Sequence, residues 1–515
     1  MSRSSTPSFV CEIPLRVTRA QARVLGTRFE VARQFYNALL GETLLRLGWL
    51  RQSTAYRAAR RDIPRTRPTE RAHAFLMARR TVGFTEGALS QYATRIHHTW
   101  IGDHVDAVIG QTHTKRAFQA ANRLAVGQAK KVRFKGRRGF HQIGSLEGKS
   151  NQAGLRWREN ALHWGRVVLP MTPGADRDPV IAWGLAHRVK YVRLVRRTVR
   201  GRLRWYAQLV CEGLPHRKLD PKTGAFRHPY GTEVQGLDIA PSTIAVVGET
   251  TARLEVFAAE VVQDHAAIRQ LQRHLDRQRR ANNPDCYDDQ GRAIRGKHPT
   301  KTSRRQVQTA LRLAKGSRRE AAHRKGLHGR LANQLLRRGI VFQTERLSYR
   351  AWQKLFGRSI GIRAPKQFLT ILTRKAESAG GQVIEFRTRT TALSQRCLCG
   401  DKHPKRLAER VHTCPHGTVT MQRDLFSAYL ARLVEDEALP IAAARASWPG
   451  AEPLLRTAWE RATTNPPASG RPMPSSFGRY PGGSSQSGSS EKENLLKSEK
   501  SDGVPQGRAD KRMPV

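Results

Sequence analysis

The sequence is poor in acidic residues relative to basic ones, and the imbalance extends over the whole chain. Asp and Glu together number 41 in 515 residues, against 92 Lys and Arg, so the formal net charge is +51. A folded chain with that surplus repels itself unless a polyanion neutralises it, and each phosphate contact also releases counterions. We therefore expect a nucleic-acid partner, with a solvated basic surface as the alternative.

Cysteine is also scarce, and long apolar segments are absent. The six cysteines are half isolated and half clustered among histidines, which is typical of a reducing compartment with one metal site and excludes a disulfide framework. No apolar run is long enough to span a bilayer, and residues 1–15 lack the long apolar core of a signal peptide. The sequence thus predicts a cytoplasmic protein that associates with nucleic acid and has no membrane partner.

The N-terminal part reads as one strand followed by a helical bundle. Residues 9–17 predict a strand, and Thr18 is placed to cap a helix whose apolar residues recur every three or four positions. These apolar residues are Leu25, Phe29, Ala32, Tyr36 and Leu39. Helical patterns with Arg on the outer faces continue to about residue 130 and suggest no chemistry of their own.

Beyond residue 130 the pattern changes to apolar or aromatic residues alternating with basic ones. Segments 130–140, 155–170 and 189–213 predict strands with one buried and one cationic face. Cations on one sheet face suit a phosphate backbone, and the tryptophans of these strands are predicted to fill the core, with base stacking as the alternative. The predicted nucleic-acid contacts are Lys131, Arg133, Lys135, Lys190, Arg193, Arg196 and Arg197.

Three acidic residues stand out further along the chain because of where they fall. Asp238 lies inside a short apolar strand, where a carboxylate is costly to bury unless a cation neutralises it. Glu345 follows the apolar run 340–343, and Asp424 begins a helical pattern. Between the first two, 263–283 and 301–337 predict basic amphipathic helices joined by a loop whose acids are read as a solvated turn.

Cysteine and histidine crowd together between Glu345 and Asp424. The segments CLCG at 397–400 and CPHG at 414–417 each end in Gly, as zinc knuckles do, and predict a structural zinc site of Cys397, Cys399, Cys414 and His416. A single residue between the first two cysteines strains chelation, so His403 or His412 is an alternative ligand. A degenerate ribbon that keeps the turn without the metal is the other alternative.

This order of segments resembles the RuvC-like nuclease domain of TnpB-type transposon-encoded proteins and of compact type V CRISPR effectors. The resemblance implies an α+β multidomain fold with an RNase H-like domain that carries a zinc ribbon. The sequence departs from the family in its shortened first knuckle, and in Leu425 to Ala428, where members often have the remainder of D-x-N-A-A. The implied domains are a wedge-type β domain (1–17 and 131–231), an inserted helical recognition lobe (18–130), a RuvC-like domain (232–393 and 418–436), the ribbon (394–417) and a mostly disordered tail (437–515).

By the same resemblance the protein is expected to be an RNA-guided DNA endonuclease. Its partners would be a guide RNA and double-stranded target DNA, and Asp238, Glu345 and Asp424 would hold two Mg²⁺ ions for phosphodiester hydrolysis. The alternatives are an RNA-guided DNA-binding protein with little or no cleavage and a DDE-type transposase. The ribbon between the last two acids argues against the transposase, and the retention of all three acids argues against the binder.

Overall fold

We describe the fold from a computed structural model, which covers residues 6–136, 142–199, 202–261, 264–406, 408–464 and 477–478. The chain divides into two compact units, Met1–Pro229 and Tyr230–Val515. Helices and several sheets occur in both units, which confirms the predicted mixture of α and β structure. Within these residues, none of the helices combines the length and hydropathy required to cross a bilayer.

The first unit is built on a four-stranded sheet in the order β1-β7-β6-β2, with a separate three-stranded sheet β3-β4-β5. The N-terminal strand pairs antiparallel with a strand about 200 residues later, and Phe9 lies opposite Cys211. The strands are β1 (Ser8–Pro14), β2 (Ser145–Glu147), β3 (Leu155–Arg158), β4 (Ala161–Trp164), β5 (Val167–Pro170), β6 (Val189–Val199) and β7 (Arg202–Glu212).

Helices α1 to α5 occupy the chain between β1 and β2. The hydroxyl of Thr18 accepts from the Gln21 amide while the Gln21 side chain accepts from the Thr18 amide, so a capping box starts α1 as predicted. The predicted apolar stripe of α1 is buried. The helices of this unit are α1 (Arg19–Gln52), α2 (Thr54–Arg61), α3 (Pro68–Thr81), α4 (Glu86–Ile96), α5 (Ala107–Ala125) and α6 (Pro179–Leu185).

Two predictions for this unit have definite outcomes. Trp157, Trp164 and Trp205 are all at least nine-tenths buried, so the prediction that they fill the core is confirmed.

The strand predicted over 130–140 is wrong where the structure describes it, because residues 131–136 are irregular. The backbone of Lys135 there exchanges hydrogen bonds with the Asn37 side chain of α1 and not with a neighbouring strand. Residues 137–140 of that segment, and residues 200–201 of the segment 189–213, lie outside the described residues.

The second unit contains a five-stranded sheet in the order β10-β9-β8-β11-β12. The first three strands form an antiparallel meander, whereas β11 runs parallel to both β8 and β12. A separate antiparallel pair, β13-β14, flanks the second cysteine knuckle at 414–417. The strands are β8 (Val234–Ile239), β9 (Thr243–Val247), β10 (Ala252–Val256), β11 (Val341–Glu345), β12 (Gln382–Phe386), β13 (Val411–Thr413) and β14 (Thr420–Gln422).

Eight helices of the second unit lie in its described residues. The two predicted basic helices are present as α7 and α8, and the loop between them turns at exposed Asp288, whose amide donates to Arg292. The helices are α7 (His265–Asn282), α8 (Arg304–Leu336), α9 (Tyr349–Leu355), α10 (Gly357–Arg363), α11 (Pro365–Ser378), α12 (Thr388–Thr391), α13 (Arg423–Arg432) and α14 (Ile441–Thr464).

The last helix corrects the prediction of a mostly disordered tail over 437–515, which is wrong for 441–464. Helix α14 buries Trp448, Leu455 and Trp459, and the indole of Trp459 donates to the carbonyl of Phe477. Its apolar face packs against β10 and α13. The rest of the predicted tail beyond 464, apart from 477–478, lies outside the described residues.

Candidate functional site

The three acids predicted from the sequence lie together at one end of the five-stranded sheet. Asp238 lies near the end of β8, Glu345 is the last residue of β11, and Asp424 is the second residue of α13. Because β8 and β11 are parallel neighbours, with Thr344 opposite Leu237, their carboxyl ends meet at the same sheet edge. All three side chains line one cavity of about 680 Å³.

Helix α13 reaches this edge because a glycine allows it to lie directly against β8. A Cβ built on Gly236 would be 1.9 Å from the carbonyl oxygen of Ala428, so no larger residue fits without movement of the helix. The helix starts where the Gln422 side chain accepts from the Leu425 amide. Gln422 is therefore the N-cap of α13, and the Asp424 side chain does not serve as the cap.

Two of the three carboxyl groups have raised pKa values in the cavity. Burial, followed by the nearby charges of Asp424 and Glu345, raises the pKa of Asp238 well above its usual range. Burial also raises the pKa of Glu345, although hydrogen bonds from the Leu393 amide and the Thr391 hydroxyl oppose the shift. Three acids held this way favour a neutralising cation between them.

Asp424 gives more specific evidence that the cavity binds a cation. Its side chain is almost fully buried, and Arg423 approaches Oδ1 at 3.4 Å. Its Oδ2 finds no hydrogen-bond partner among the residues that the structure describes. An unpartnered buried carboxylate oxygen beside two further carboxylates fits a hard divalent cation, since Mg²⁺ takes oxygen ligands and retains waters.

Three cations that the sequence analysis did not single out line the same cavity. Lys405 and Arg410 come from the cysteine-containing segment, and Arg423 comes from the start of α13. Burial lowers the pKa of Lys405 to about 8, and its Nζ contacts Nδ1 of His412. A cavity with acids in its centre and cations beside them can receive a phosphate group. For Lys405 and Arg410, the available signal was the cluster of Lys and Arg between the two knuckles.

The residue at the Asn position of the family motif faces the core instead of the cavity. Phe426 is 1% exposed and stacks on His412 at 4.5 Å between ring centroids. Trp448 of α14 meets the Phe426 ring edge-on at 5.5 Å. The departure from D-x-N-A-A therefore replaces a polar side chain by an aromatic contact that joins α13, β13 and α14.

The cysteine segment brings together four possible metal ligands. Ligand atoms of Cys397, Cys399, His403 and Cys414 all lie within 4.8 Å of one another, with 3.4 Å between Cys399 Sγ and His403 Nε2. Ligands about 2.3 Å from a tetrahedral zinc ion would be roughly 3.8 Å apart, so three sulfurs and one imidazole nitrogen fit that ion. Burial alone would raise the pKa of the Cys414 thiol. Hydrogen bonds with Thr418, Cys397 and His416 together outweigh burial and lower that pKa to about 6.

His403, and not His416, lies close to all three cysteines. His416 is more than half exposed, and its Nδ1 lies 4.0 Å from Asp401 Oδ2. It groups with Cys399, Asp401 and His403 but not with all three cysteines. His412, the other alternative, is buried against Phe426 and belongs to neither group.

The predicted nucleic-acid contacts of β6 already have partners within the first unit. Arg193 pairs with Glu147 and Arg197 pairs with Glu12 through both carboxylate oxygens. Arg196 points the opposite way, where its guanidinium lies over the Phe29 ring at 4.6 Å and donates to the Ile143 carbonyl. The expectation of one cationic face is wrong here, because adjacent strand residues alternate between faces.

The remaining predicted contacts differ in exposure. Lys131 and Arg133 are exposed, whereas Lys135 is partly buried with its Nζ 5.6 Å from the centre of the Tyr36 ring. Lys190 donates to the carbonyl and hydroxyl of Thr6. Lys131 and Arg133 are therefore accessible to a phosphate backbone, and their role as nucleic-acid contacts stays a prediction.

Comparison with known proteins bears on the second unit. Residues 366–430, which run from α11 into α13 and include the cysteine segment and Asp424, match the family described as Cas12f1-like, TNB domain. The match confirms the resemblance to compact type V effectors. A comparison with curated proteins finds no significant match.

Two cryo-EM structures are similar in outline at low sequence identity. One is a chain of a Cas12f1–sgRNA–target DNA complex, with a TM-score of 0.40 and 11% identity over 80% of this chain and 82% of that one. The other comes from a CRISPR-Cas12f ternary complex, with a TM-score of 0.25 and 12% identity over 79% of this chain and 81% of that one.

Proposed function

We propose that this chain is an RNA-guided DNA endonuclease that hydrolyses phosphodiester bonds in the cavity at the end of the five-stranded sheet. The observation that carries the proposal is the meeting of Asp238, Glu345 and Asp424, which come from three separate parts of the sequence, in one cavity. The raised pKa values of Asp238 and Glu345 and the unpartnered Asp424 oxygen support a site that is completed by cations.

The domain arrangement proposed with this function follows the resemblance. The strand order β10-β9-β8-β11-β12, with three antiparallel and then two parallel strands, supports an RNase H-like domain over 232–393 and 418–436. The pairing of β1 with β7 supports a wedge-type domain from which helices α1 to α5 are inserted as a recognition lobe. The ribbon would occupy 394–417.

Asp238, Glu345 and Asp424 would hold two Mg²⁺ ions. When bound, such a pair supplies an activated water and stabilises the leaving 3′ oxygen of an in-line displacement. The protein side chains orient the phosphate, since Lys405, Arg410 and Arg423 line the cavity beside the acids. Glu345 is itself held in place by the Leu393 amide and the Thr391 hydroxyl, so its carboxylate is positioned before substrate arrives.

A guide RNA would select the target by base pairing while protein residues read a short adjacent motif. The net charge of +51 supports a large nucleic-acid partner, and exposed Lys131 and Arg133 are the predicted contacts best placed to meet a phosphate backbone. Zinc, held by Cys397, Cys399, His403 and Cys414, would be structural, since four protein ligands leave no position for substrate.

The experiment that tests this function is cleavage of a plasmid library by the protein purified with its cellular RNA. Wild type, Asp238→Ala and the control Asp285→Ala, which removes an exposed acid of the α7–α8 loop, are compared in Mg²⁺ and in EDTA. Guide-dependent cutting in Mg²⁺ by wild type and control, but not by Asp238→Ala, is expected. Guide-dependent binding without cutting would leave the RNA-guided binder, and no dependence on RNA would refute the assignment.

A further inference from the structure

Helix α14 carries an arginine that contacts the first cysteine knuckle. The guanidinium of Arg445 donates through Nε to the carbonyl of Leu398 and through Nη2, at 2.8 Å, to the carbonyl of Cys399. These two carbonyls lie between Cys397 and Gly400, inside the segment that would wrap around a metal ion. The contact thus spans 46 residues of sequence and ends on backbone groups of the knuckle.

The knuckle needs outside support because it is one residue shorter than a C-x-x-C knuckle. It has its own bonds, from the Gly400 amide to Cys397 and from the Cys397 amide to Asp401, each 3.1 Å long. With one residue between the cysteines, directing both sulfurs to a common ion constrains the peptide groups of Leu398 and Cys399. A planar guanidinium presents donors in a fixed fork that can hold two adjacent carbonyls, and its charge favours nearby thiolates.

The support is rigid because α14 is fixed to α13. The Tyr429 hydroxyl donates to the Ala444 carbonyl at 2.5 Å and lies 2.7 Å from the Ser447 hydroxyl. The ring of Trp448, on the same stretch of α14, packs edge-on against Tyr429 at 5.2 Å. Arg445 therefore reaches the knuckle from a helix whose position is fixed by buried contacts on both sides of it.

We propose that Arg445 is a positioning residue for the metal site of Cys397, Cys399, His403 and Cys414. By holding the carbonyls of Leu398 and Cys399 it keeps the shortened knuckle in the conformation in which both sulfurs face the ion. The inference rests on the metal site proposed above and adds a dependence of that site on α14, which lies outside the ribbon and outside the segment 366–430.

The test compares zinc binding by the full-length wild type with Arg445→Ala, Arg445→Gln and Arg445→Lys. The control is Arg456→Ala, which removes a cation of the same helix whose partner is Glu452 and not the knuckle. Zn²⁺ affinity is measured by competition with a chromophoric chelator, and Co²⁺ is substituted to record the thiolate charge-transfer and d–d absorption bands.

We expect Arg445→Ala to bind Zn²⁺ at least about 10-fold more weakly, in the range usual for groups that orient metal ligands. Arg445→Lys should recover part of the affinity, Arg456→Ala should match wild type, and the d–d bands of Arg445→Ala should shift. An affinity of Arg445→Ala within twofold of wild type would overturn the inference. If circular dichroism shows that Arg445→Ala does not fold, unchanged affinity in Arg445→Gln overturns it equally.

Failure of the metal site itself has a different signature. A wild type that binds neither Zn²⁺ nor Co²⁺ would refute the site together with the inference. Zinc-binding wild type beside an equally tight Arg445→Ala would refute the inference alone. Neither result depends on cleavage, so the endonuclease proposal is judged separately by the plasmid assay.

Discussion

Replacement of Gly236 by alanine should separate the acids without removing any of them. The new Cβ would lie 1.9 Å from the Ala428 oxygen and 2.5 Å from the Arg432 nitrogen, both backbone atoms of α13. Since carbon and oxygen rarely approach closer than about 3 Å, the helix must move away from β8 by at least ~1 Å. Asp424, one turn before Ala428, moves with it.

The expected losses of stability and of cleavage rate follow from this displacement of α13. Forcing a methyl group into a filled contact between helix and strand costs about 1–3 kcal/mol. Because the two nearest neighbours are backbone atoms of α13, which cannot rotate away, we expect Gly236→Ala to lie toward the upper end. A catalytic group misplaced by about 1 Å can lose roughly 100-fold in rate. We therefore expect single-turnover cleavage to slow by about that factor, while guide RNA binding remains at the wild-type level.

The assay is single-turnover cleavage of a matched target at saturating Mg²⁺, together with thermal unfolding followed by circular dichroism. The control is Gly329→Ala in α8, where an added Cβ meets nothing within 4 Å and alanine should raise helix stability slightly. Wild-type unfolding temperature and wild-type rate in Gly236→Ala would show that α13 does not press on β8 as described.

Three further predictions concern charge, the last helix and the first unit. In EDTA, the unfolding temperature of the wild type should fall as pH rises from below the ordinary carboxyl range through the raised pKa of Asp238. The reason is that the folded state holds the Asp238 proton more tightly than the unfolded chain does. Asp238→Asn should show a shallower slope and no cleavage, and an unchanged slope would contradict the electrostatic account. Trp459→Ala should cost about 3–5 kcal/mol in urea unfolding, because the ring is fully buried, whereas Glu460→Ala next to it should be neutral. Lys131→Ala should weaken RNA binding and reduce the slope of log affinity against log salt by about 1. Arg196→Ala should lower stability and leave that slope unchanged, because its guanidinium is used inside the first unit. The opposite pattern would show that Arg196 contacts phosphate.

The acids could be found from the sequence because their signal is local and ordered. Asp238 is the second-last residue of an apolar strand, and Glu345 is the last residue of another. The carboxyl ends of two parallel neighbouring strands lie at the same edge of the sheet, regardless of the chain that connects them. That Asp424 joins them depends on Gly236, and the sequence shows only a glycine two residues before an aspartate. The close contact with Ala428 is a property of the packed helix.

The histidine that lies beside the three cysteines could not be chosen from spacing. His403 follows the first knuckle and His416 lies within the second, and the choice depends on how the chain folds back after Gly400, where φ is +102°. His403 is brought back when its amide donates to the Gln395 carbonyl at 2.7 Å, before the first cysteine. Such a return contact has no signature in the sequence.

Helix α14 was missed because its sequence contains two apparent helix breakers. Pro449 and Pro453 each remove a backbone donor, which predicts an interrupted segment when the sequence is considered alone. Burial of Trp448, Leu455 and Trp459 on one face compensates for the lost hydrogen bonds. Tertiary packing therefore decides this element over local propensity.

The pairing of β1 with β7 also constrains how the chain folds during synthesis. Residues 8–14 leave the ribosome about 200 residues before their partner strand, and at roughly 5–20 residues per second they wait about 10–40 s. Ile13 and Cys11, which are fully buried in the folded protein, lack their partner strand throughout that interval. The helices α1 to α5 have time to form first, so β1 closes the sheet of the first unit last, by a contact of very high sequence separation.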